Sequence, residues 1–220
     1  MSIERFFSNY AIIMDEILKL FPSLTAAQIE QFNRMGDLYR FWNERINVIS
    51  RKDIDNIYLH HVVHSLTIAR FLGDLTSGTE ILDMGTGGGF PGIPLAVVYP
   101  DVRFNLIDRI GKKIRVCNEV ASELGLKNIT TQHGDIGECH KKFDYVVSRA
   151  VMRLDSLVPL VRRNVSSTNR NSLHNGLICL KGGELDPEIS ATKLNVEVFP
   201  LNEFVSDSFF ENKYLIYVPM

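Results

Sequence analysis

Cysteine is scarce in this 220-residue sequence, and its three copies lie far apart. Cys117, Cys139 and Cys179 form no Cys-x-x-Cys pair, which excludes a zinc knuckle and argues against a disulfide framework. Histidines cluster at positions 60, 61 and 64, but no acidic helix signature accompanies them. A helix-surface or domain-contact role is therefore favoured for these histidines, and we expect no metal site.

Long apolar runs and an excess of positive charge are also missing. No stretch approaches the length of a membrane span. The opening MSIERFF places Glu4 and Arg5 where a secretory signal needs a continuous apolar segment. We therefore expect a cytoplasmic protein without a membrane partner. The formal net charge of −2 excludes a protein that coats nucleic acid through bulk charge, but it allows a local basic surface.

The sequence has enough apolar residues for a sizeable core, because 45% of the chain is hydrophobic. Its first part has helical patterns. Apolar residues recur at helical spacing over residues 3–21, and Thr25 with Gln28 matches a capping box. A further helical pattern over residues 54–72 stops at Gly73, a residue typical of helix ends. These patterns predict a small helical N-terminal domain over residues 1–65.

Short β-rich runs alternate with helical ones in the rest of the chain. The runs are EILDM, RFNLID, ITTQH, FDYVVS and GLICLKG. Their alternation with helices predicts an open, mostly parallel sheet covered on both faces, as in an α/β Rossmann-like domain over residues 66–220. The last two runs, NVEVF and KYLIYV, have no crossover helix between them. We expect them to form an antiparallel edge of the sheet.

The most informative segment is ILDMGTGGGFPGIPLAVVYP, residues 81–100. A strand ends there, a glycine-dense turn follows, and Pro91 stands where a helix would begin. Glycines allow positive φ and a close approach of backbone to a ligand. The crevice beyond the carboxyl end of a first strand is where open α/β sheets bind cofactors. We assign these residues to a cofactor site: Asp83, Gly85, Thr86, Gly87 and Phe90.

Two cofactors are compatible with this segment. Gly87, Gly89 and Gly92 match the G-x-G-x-x-G pattern of dinucleotide sites. Phe90 and Pro91 lie inside that match, however, and disturb the helix N-terminus that would hold a pyrophosphate. S-adenosylmethionine is a sulfonium cation without a phosphate, and an acidic strand end beside bare backbone suits its amino-acid part. We favour S-adenosylmethionine; a nicotinamide dinucleotide and an ordinary strand–helix turn remain alternatives.

Two carboxylates follow the next strands. Asp108 ends RFNLID, where it can accept both ribose hydroxyls of either cofactor or cap the helix that starts near Gly111. Asp135 lies in HGDIG, where it can accept from an adenine amino group, with the Ile136 backbone beside it, or only form a turn. We assign Asp108, Asp135 and Ile136 to the cofactor site and leave those alternatives open.

A set of motifs in fixed order carries a family resemblance: WNERINVISRKDIDNIYLHHVVHSL, DMGTGGGFPGIPLA, LIDRIGKKIRV, FDYVVSRAV and LKGG. Together they resemble the RsmG (GidB) methyltransferases over roughly residues 35 to 185. The resemblance implies a class I S-adenosylmethionine-dependent methyltransferase fold, with a mostly parallel seven-stranded sheet and an antiparallel edge. It also implies methylation of N7 of one guanine in 16S ribosomal RNA, the position-527 guanine. The expected partner is the 16S RNA or the small-subunit particle.

The resemblance also implies residue roles. Gly85, Gly87 and Asp108 match donor-binding positions of the family. Arg149, in SRA after the fourth strand, matches an arginine beside the methyl-transfer site, where it also belongs to the cofactor site. Lys181, in LKG after the fifth strand, matches a second basic residue that faces the nucleotide. We expect Arg149 and Lys181 to act in catalysis.

The chemistry of guanine N7 agrees with the residues present. N7 has a lone pair and no proton, so its methylation needs no general base, and no catalytic dyad is evident. Basic residues cluster over 149–170 and 109–115, where they can contact RNA phosphates or be solvated helix faces. No heptad pattern demands a dimer, so we expect a monomer. An NAD-dependent oxidoreductase and a non-catalytic adenosylmethionine-binding regulator of ribosomal RNA are the alternative functions.

Overall fold

A mixed β-sheet organises the computed structural model, which describes residues 14–149 and 151–220. The strands are β1 (Glu80–Met84), β2 (Arg103–Asp108), β3 (Ile129–His133), β4 (Tyr145–Arg149), β5 (Gly176–Gly182), β6 (Glu197–Pro200) and β7 (Lys213–Pro219). In the described residues they form a seven-stranded sheet with the order β3-β2-β1-β4-β5-β7-β6. This arrangement confirms the predicted α/β fold of a class I methyltransferase.

The sheet is parallel from β3 to β5 and antiparallel at one edge. Strand β7 pairs antiparallel with both β5 and β6. No helix crosses over between β6 and β7, where residues 201–212 contain only short turns. Two strands joined without a crossover pair antiparallel. The antiparallel edge predicted from NVEVF and KYLIYV is therefore confirmed.

Helices cover both faces of the sheet. They are α1 (residues 14–20), α2 (Ala26–Asn43), α3 (His64–Leu72), α4 (Gly92–Val98), α5 (Gly111–Glu123), α6 (Leu154–Val161) and α7 (Asp186–Thr192). Successive strand residues point to opposite faces. Accordingly Tyr145 and Val147 pack into the core under α3, α4 and α5, whereas Val146 packs into the core under α6 and α7.

Helix α2 is hydrogen-bonded to two of the helices that pack on the sheet. Thr25 and Gln28 form the predicted capping box at its start. The Gln28 Nε2 also donates to the Val97 carbonyl at 2.8 Å, and the Gln31 Nε2 donates to the Leu124 carbonyl at 2.9 Å. These carbonyls lie at the ends of α4 and α5, where helices leave acceptors without an internal partner.

The segment predicted as one helix over residues 54–72 has three parts. A 3₁₀ turn over Ile54–Asn56 is followed by a π-helical segment, Ile57–Val63, which continues into α3. The segment ends at Gly73, as predicted, with a φ of 62°. Single π-helical turns inside α-helices are frequent at functional sites. This one carries His60 and His61.

The two predicted domains share one apolar core. Residues from α2, from the 57–72 segment and from the sheet belong to the same buried cluster. The boundary at residue 65 stays a prediction. The helical pattern predicted over residues 3–13 lies outside the described residues. Among residues 14–149 and 151–220, no helix is both long and apolar enough to cross a membrane.

Candidate functional site

The glycine loop connects β1 to α4 over residues 85–91. The backbone N–H groups of Gly85 and Thr86 both donate to the Ile107 carbonyl, at 2.9 and 3.0 Å, which holds the loop against the end of β2. Gly85 and Gly87 have φ values of 72° and 59°, in the region that favours glycine. A Cβ on Gly85 would lie 2.6 Å from the Val151 Cγ2, so the loop also needs glycine for close packing.

The loop borders a cavity of about 550 Å³ at the carboxyl ends of β1, β2 and β4. Of the residues assigned to the site from sequence, the cavity wall contains Gly85, Thr86, Gly87, Phe90, Asp108, Ile136 and Arg149. The other wall residues are Val48, Met84, Gly88, Ile107, Arg109, Ile110, Lys113, Gly134, Val151 and Met152. Residues far apart in sequence therefore meet where an open α/β sheet is expected to bind a ligand.

Asp108 ties the glycine loop to the start of α5. Its Oδ2 accepts from the Gly87 backbone N–H at 2.9 Å, and its Oδ1 accepts from the Ile110 N–H at 2.8 Å. Ile110 immediately precedes α5, but Asp108 accepts from none of the N–H groups in the first turn of that helix. Each carboxylate oxygen has a second acceptor position. Asp108 can therefore orient the loop and still accept ligand hydroxyls in the cavity.

Asp83 lies beneath the loop and is fully buried. Its Oδ2 accepts from the Thr86 hydroxyl at 2.6 Å and from the Gly92 N–H at 2.8 Å. Its Oδ1 has no hydrogen-bond partner among the described residues. Burial raises the pKa of Asp83 to about 7, against the two hydrogen bonds and the charge of Arg149, which lower it. Asp83 therefore supports the loop from below.

Asp135 and Ile136 follow β3 on the far side of the cavity. The Asp135 carboxylate accepts from the Gly137 N–H at 2.7 Å and pairs with Arg109 at 2.6 Å. The hydrogen bond from the Gly137 N–H is the largest effect and lowers the pKa of Asp135; desolvation opposes it, and the Arg109 charge lowers the pKa further. Asp135 thus caps the short turn that follows it, while Ile136 forms part of the cavity wall. Its assignment to an adenine amino group stays a prediction.

Arg149 is the last residue of β4 and one of the residues that line the cavity. Its Cζ lies 5.2 Å from the centroid of the Phe90 ring, within cation–π distance. Burial lowers the pKa of Arg149 to about 10, and the charge of Asp83 opposes that shift. Arg149 therefore remains charged at neutral pH in a largely dry wall of the cavity.

Lys181 forms a buried ion pair behind that wall. Its Nζ lies 2.9 Å from the Glu188 Oε2 and donates to the Met152 carbonyl at 2.8 Å. The same Glu188 oxygen accepts from the Leu154 N–H at 2.5 Å, at the start of α6. The pair thus anchors the segment that carries Val151 into the cavity. A direct role for Lys181 toward a nucleotide stays a prediction.

Two residues that line the cavity or support its wall were not identified from sequence because their signal is weak. Val48 comes from the segment before the sheet, and a Cβ on Gly88 would lie 2.8 Å from its Cβ. Tyr39, on α2, donates to the Gly88 carbonyl at 2.7 Å and packs on Phe90 with ring centroids 4.6 Å apart. A buried tyrosine within a helical pattern cannot be told from an ordinary core residue by sequence. The N-terminal region therefore supports the glycine loop.

Most basic side chains of the first predicted cluster, over residues 149–170, form contacts with other residues of the protein. Arg153 pairs with Asp155 at 3.1 Å, Arg170 lies 3.5 Å from Asp144, and Arg163 donates to the Ile136 carbonyl at 3.0 Å. In the second cluster, Lys113 lines the cavity and the Arg115 guanidinium lies 5.9 Å from the centroid of the Trp42 ring. Among the described residues, no group of three histidine, cysteine or acidic side chains is arranged to hold a metal ion.

Alanine at two loop glycines is expected to have unequal costs in stability. At Gly87 the added Cβ meets no atom within 4 Å, so only the positive φ opposes it, at roughly 1 kcal/mol. At Gly85 the added Cβ also overlaps Val151, which should cost about 1–2 kcal/mol more. Urea unfolding measures the difference. Val151→Ala should rescue part of the Gly85→Ala loss; equal losses for the two alanine variants would remove the packing argument.

Comparison with known protein families finds a matching family profile and similar sequences. The sequence profile described as rRNA small subunit methyltransferase G (GidB) matches residues 28–205. A Ribosomal RNA small subunit methyltransferase G from Bacteroides fragilis is 52% identical over 205 residues, which cover 93% of this chain and 99% of the relative. The protein of the same name from Flavobacterium psychrophilum is 47% identical, with 94% and 98% covered.

Solved structures share the fold at low sequence identity. A crystal structure of Aeropyrum pernix fibrillarin with natively bound S-adenosyl-L-methionine superposes with a TM-score of 0.51 at 16% identity. The match covers 71% of this chain and 73% of fibrillarin. This likeness shows the fold alone.

Proposed function

This chain belongs to the ribosomal RNA small subunit methyltransferase G family, and we propose that it transfers a methyl group from S-adenosylmethionine to N7 of one guanine in 16S ribosomal RNA. The observation that carries the proposal is the cavity at the ends of β1, β2 and β4, where the glycine loop, Asp108 and Arg149 meet. Within this proposal the enzyme acts in the cytoplasm, as a monomer, on the RNA or on the small-subunit particle.

The cavity offers hydrogen-bond acceptors and apolar walls that suit S-adenosylmethionine. Asp108 offers free acceptor positions for the ribose hydroxyls, and Ile110 and Ile136 provide apolar walls for a flat base. Open space lies beside the backbone at Gly87, since a Cβ there would meet no atom within 4 Å. When bound, S-adenosylmethionine supplies an electrophilic methyl group.

The start of α4 argues against a dinucleotide. A pyrophosphate binds to the free N–H groups at a helix N-terminus. Here Pro91 has no N–H, the Gly92 N–H donates to the Asp83 carboxylate, and the Ile93 N–H donates to the Gly89 carbonyl at 2.7 Å. These donors are occupied, and a carboxylate already lies where the phosphate would bind. The oxidoreductase alternative therefore has little support.

The side chains of the cavity match a reaction that removes no proton. Guanine N7 presents a lone pair, so the protein has to align the base and exclude water. Asp108 contributes the carboxylate in the wall, and both of its oxygens accept backbone N–H groups. Arg149 offers N–H donors but cannot act as a base at neutral pH. Its proposed task is to donate to a hydrogen-bond acceptor of the substrate and so to hold the base at the methyl-transfer position.

The basic side chains near the cavity are the proposed contacts for RNA phosphate. Lys113 lines the cavity, and Lys112 and Arg115 lie on the same first turns of α5. Phosphate contacts position RNA without reading its sequence. They therefore complement the cavity, which would accept the target base, and they compensate locally for the net negative charge of the chain.

Donor binding and methyl transfer together test the proposal. Calorimetric titration should detect S-adenosylmethionine binding and no NAD binding at the same concentrations. Labelled methyl should then pass to 16S RNA that lacks its own modification, offered either free or in small subunits. Donor binding without transfer to either form would favour the non-catalytic alternative, and binding of NAD alone would favour the oxidoreductase.

Replacing Asp108 with alanine should weaken S-adenosylmethionine binding by roughly 1–3 kcal/mol, because a buried acceptor is lost and the loop loses its tie to β2. Asp108→Asn keeps one acceptor oxygen and should lose less. Calorimetry at constant pH measures both variants. Wild-type affinity in Asp108→Ala would remove Asp108 from the donor site.

A further inference from the structure

Arg149 is held from the N-terminal part of the chain by two adjacent histidines. Its Nη2 lies 2.9 Å from the His61 Nδ1, and its Nη1 donates to the His60 backbone carbonyl at 3.3 Å. His61 belongs to the π-helical segment Ile57–Val63, about ninety residues before Arg149 in sequence. The orientation of the guanidinium thus depends on a segment outside the strands that form the cavity.

The chemistry of these groups determines the state of His61. A guanidinium only donates hydrogen bonds, so the His61 Nδ1 must be the acceptor and carry no proton. The remaining proton is then on Nε2, which lies 2.7 Å from the Asp53 Oδ2 and donates to it. Burial, together with the Arg149 charge, lowers the pKa of His61 to about 4, although Asp53 opposes the shift. The ring is therefore neutral at physiological pH.

A second hydrogen bond fixes Asp53 through its other carboxylate oxygen. The His60 Nδ1 lies 2.5 Å from the Asp53 Oδ1. The His60 ring in turn stacks on Phe209, with centroids 3.7 Å apart and planes 9° from parallel. Lys213 lies 3.7 Å from the centroid of the same Phe209 ring. Hydrogen bonds thus fix both oxygens of the Asp53 carboxylate, and the stack on Phe209 fixes the His60 ring. The His61 Nε2, which donates to Asp53, is fixed with them.

Both nitrogens of His61 are engaged, which excludes a role as proton acceptor from a substrate. His61 is also largely buried, with 12% of its side chain exposed, and it is not among the residues that line the cavity. Metal-site histidines show the same design, in which a carboxylate sets the tautomer and the ring orients its partner. Here the oriented partner is a guanidinium.

We propose that His61 is a positioning residue for methyl transfer: Asp53 fixes it in the Nε2–H tautomer, and its Nδ1 orients the Arg149 guanidinium in the cavity. The inference rests on the proposed function and adds to it a role for the N-terminal segment. The segment that carries Asp53 and His61 then contributes to the reaction without touching the substrate.

Three variants separate positioning from folding. His61→Leu removes the acceptor for Arg149 and should lower the single-turnover rate of methyl transfer about 10- to 100-fold, the range found for lost supporting residues. His61→Asn places an amide oxygen near the Nδ1 position and should recover most of that rate. His60→Leu is the comparison variant: it breaks the second bond to Asp53 but keeps His61 and the backbone carbonyl that accepts from Arg149. Its loss of rate should be smaller than that of His61→Leu.

The expected pattern is a slower transfer step with nearly unchanged donor affinity in His61→Leu. A rate equal to wild type in a folded His61→Leu protein, or equal losses in His61→Leu and His60→Leu, would overturn the inference. Because these comparisons need an active wild type, a wild-type protein that transfers no methyl group counts against the proposed function instead.

A spectroscopic measurement tests the same inference without turnover. Long-range ¹H–¹⁵N spectra of the donor-free protein at pH 7 report which imidazole nitrogen carries the proton. His61 should show a protonated Nε2 and an unprotonated Nδ1. The Arg149 Nη protons should exchange more slowly in wild type than in His61→Leu. An Nδ1–H tautomer, or a doubly protonated His61 at that pH, would contradict the inference whatever the activity.

Discussion

Replacing Arg149 with alanine is expected to lower the single-turnover rate of methyl transfer by about 100- to 1,000-fold, which is roughly 3–4 kcal/mol of transition-state stabilisation. The guanidinium is a charged donor in a buried wall, where hydrogen bonds act in low dielectric. It is also held by His61 and His60, so no reorganisation is required when substrate binds. The measurement is transfer of labelled methyl with saturating donor and excess enzyme.

The control for this prediction is Arg149→Lys, which keeps the charge and loses the planar fork of donors. We expect it to recover only a small part of the rate, because an ammonium lacks the planar fork that directs separate donors to His61, the His60 carbonyl and the cavity. Donor affinity is measured in parallel by calorimetry. An alanine variant that transfers methyl within about threefold of wild type would remove Arg149 from the reaction.

The second large effect is a pH-dependent stability difference between wild type and Asp83→Asn. Burial raises the pKa of Asp83 to about 7 in the folded protein, whereas an unfolded aspartate has a pKa near 3.8. The native state therefore binds more protons than the unfolded state between these two values. The resulting stabilisation is fully present below the unfolded pKa and is lost as the pH rises through the folded pKa.

Asparagine does not titrate, so the stability of the variant lacks this pH-dependent loss. Its oxygen can still accept from Thr86 and the Gly92 N–H. Relative to wild type, Asp83→Asn should gain about 2–3 kcal/mol in free energy of unfolding between pH 5 and pH 8. Urea unfolding at several pH values measures the difference, in which groups common to both proteins cancel. A difference independent of pH would show that Asp83 has an ordinary pKa.

Much of the fold was predictable because its signals are local. The capping box at Thr25 and Gln28, the helix end at Gly73 and the antiparallel edge formed by β6 and β7 each depend on residues close in sequence. The glycine loop was predictable for the same reason, since positive φ and close packing leave few residue types other than glycine. The wall around it could also be outlined, because parallel strands end at the same edge of a sheet.

The roles of side chains were harder to predict because partners distant in sequence decide them. Asp83 was expected beside the donor, yet it points into the buried start of α4 and accepts from Gly92. Lys181 was expected to face a nucleotide, yet its observed partner is Glu188 on α7. Neither partner carries a motif, so no local pattern could indicate the pairing. Their roles toward donor and nucleotide stay predictions.

The histidines show the same limit. The sequence favoured a helix-surface or domain-contact role for His60 and His61 over metal binding, and in the structure both rings contact Asp53. What the sequence could not indicate is the contact with Arg149, which requires the π-helical segment to face the end of β4. The same holds for Tyr39, which reaches the glycine loop from α2.

The measurement that tests the central claim most directly is mapping of the methyl group that this enzyme adds to 16S ribosomal RNA lacking that modification. Borohydride reduction followed by aniline cleavage cuts RNA at 7-methylguanosine, and mass spectrometry of the fragments counts the methyl groups. The account predicts one cut at a single guanine, dependent on S-adenosylmethionine and strongly reduced in Arg149→Ala at the same reaction time. Methyl groups on another atom or base would contradict it, as would donor binding without transfer to free RNA or to the small subunit.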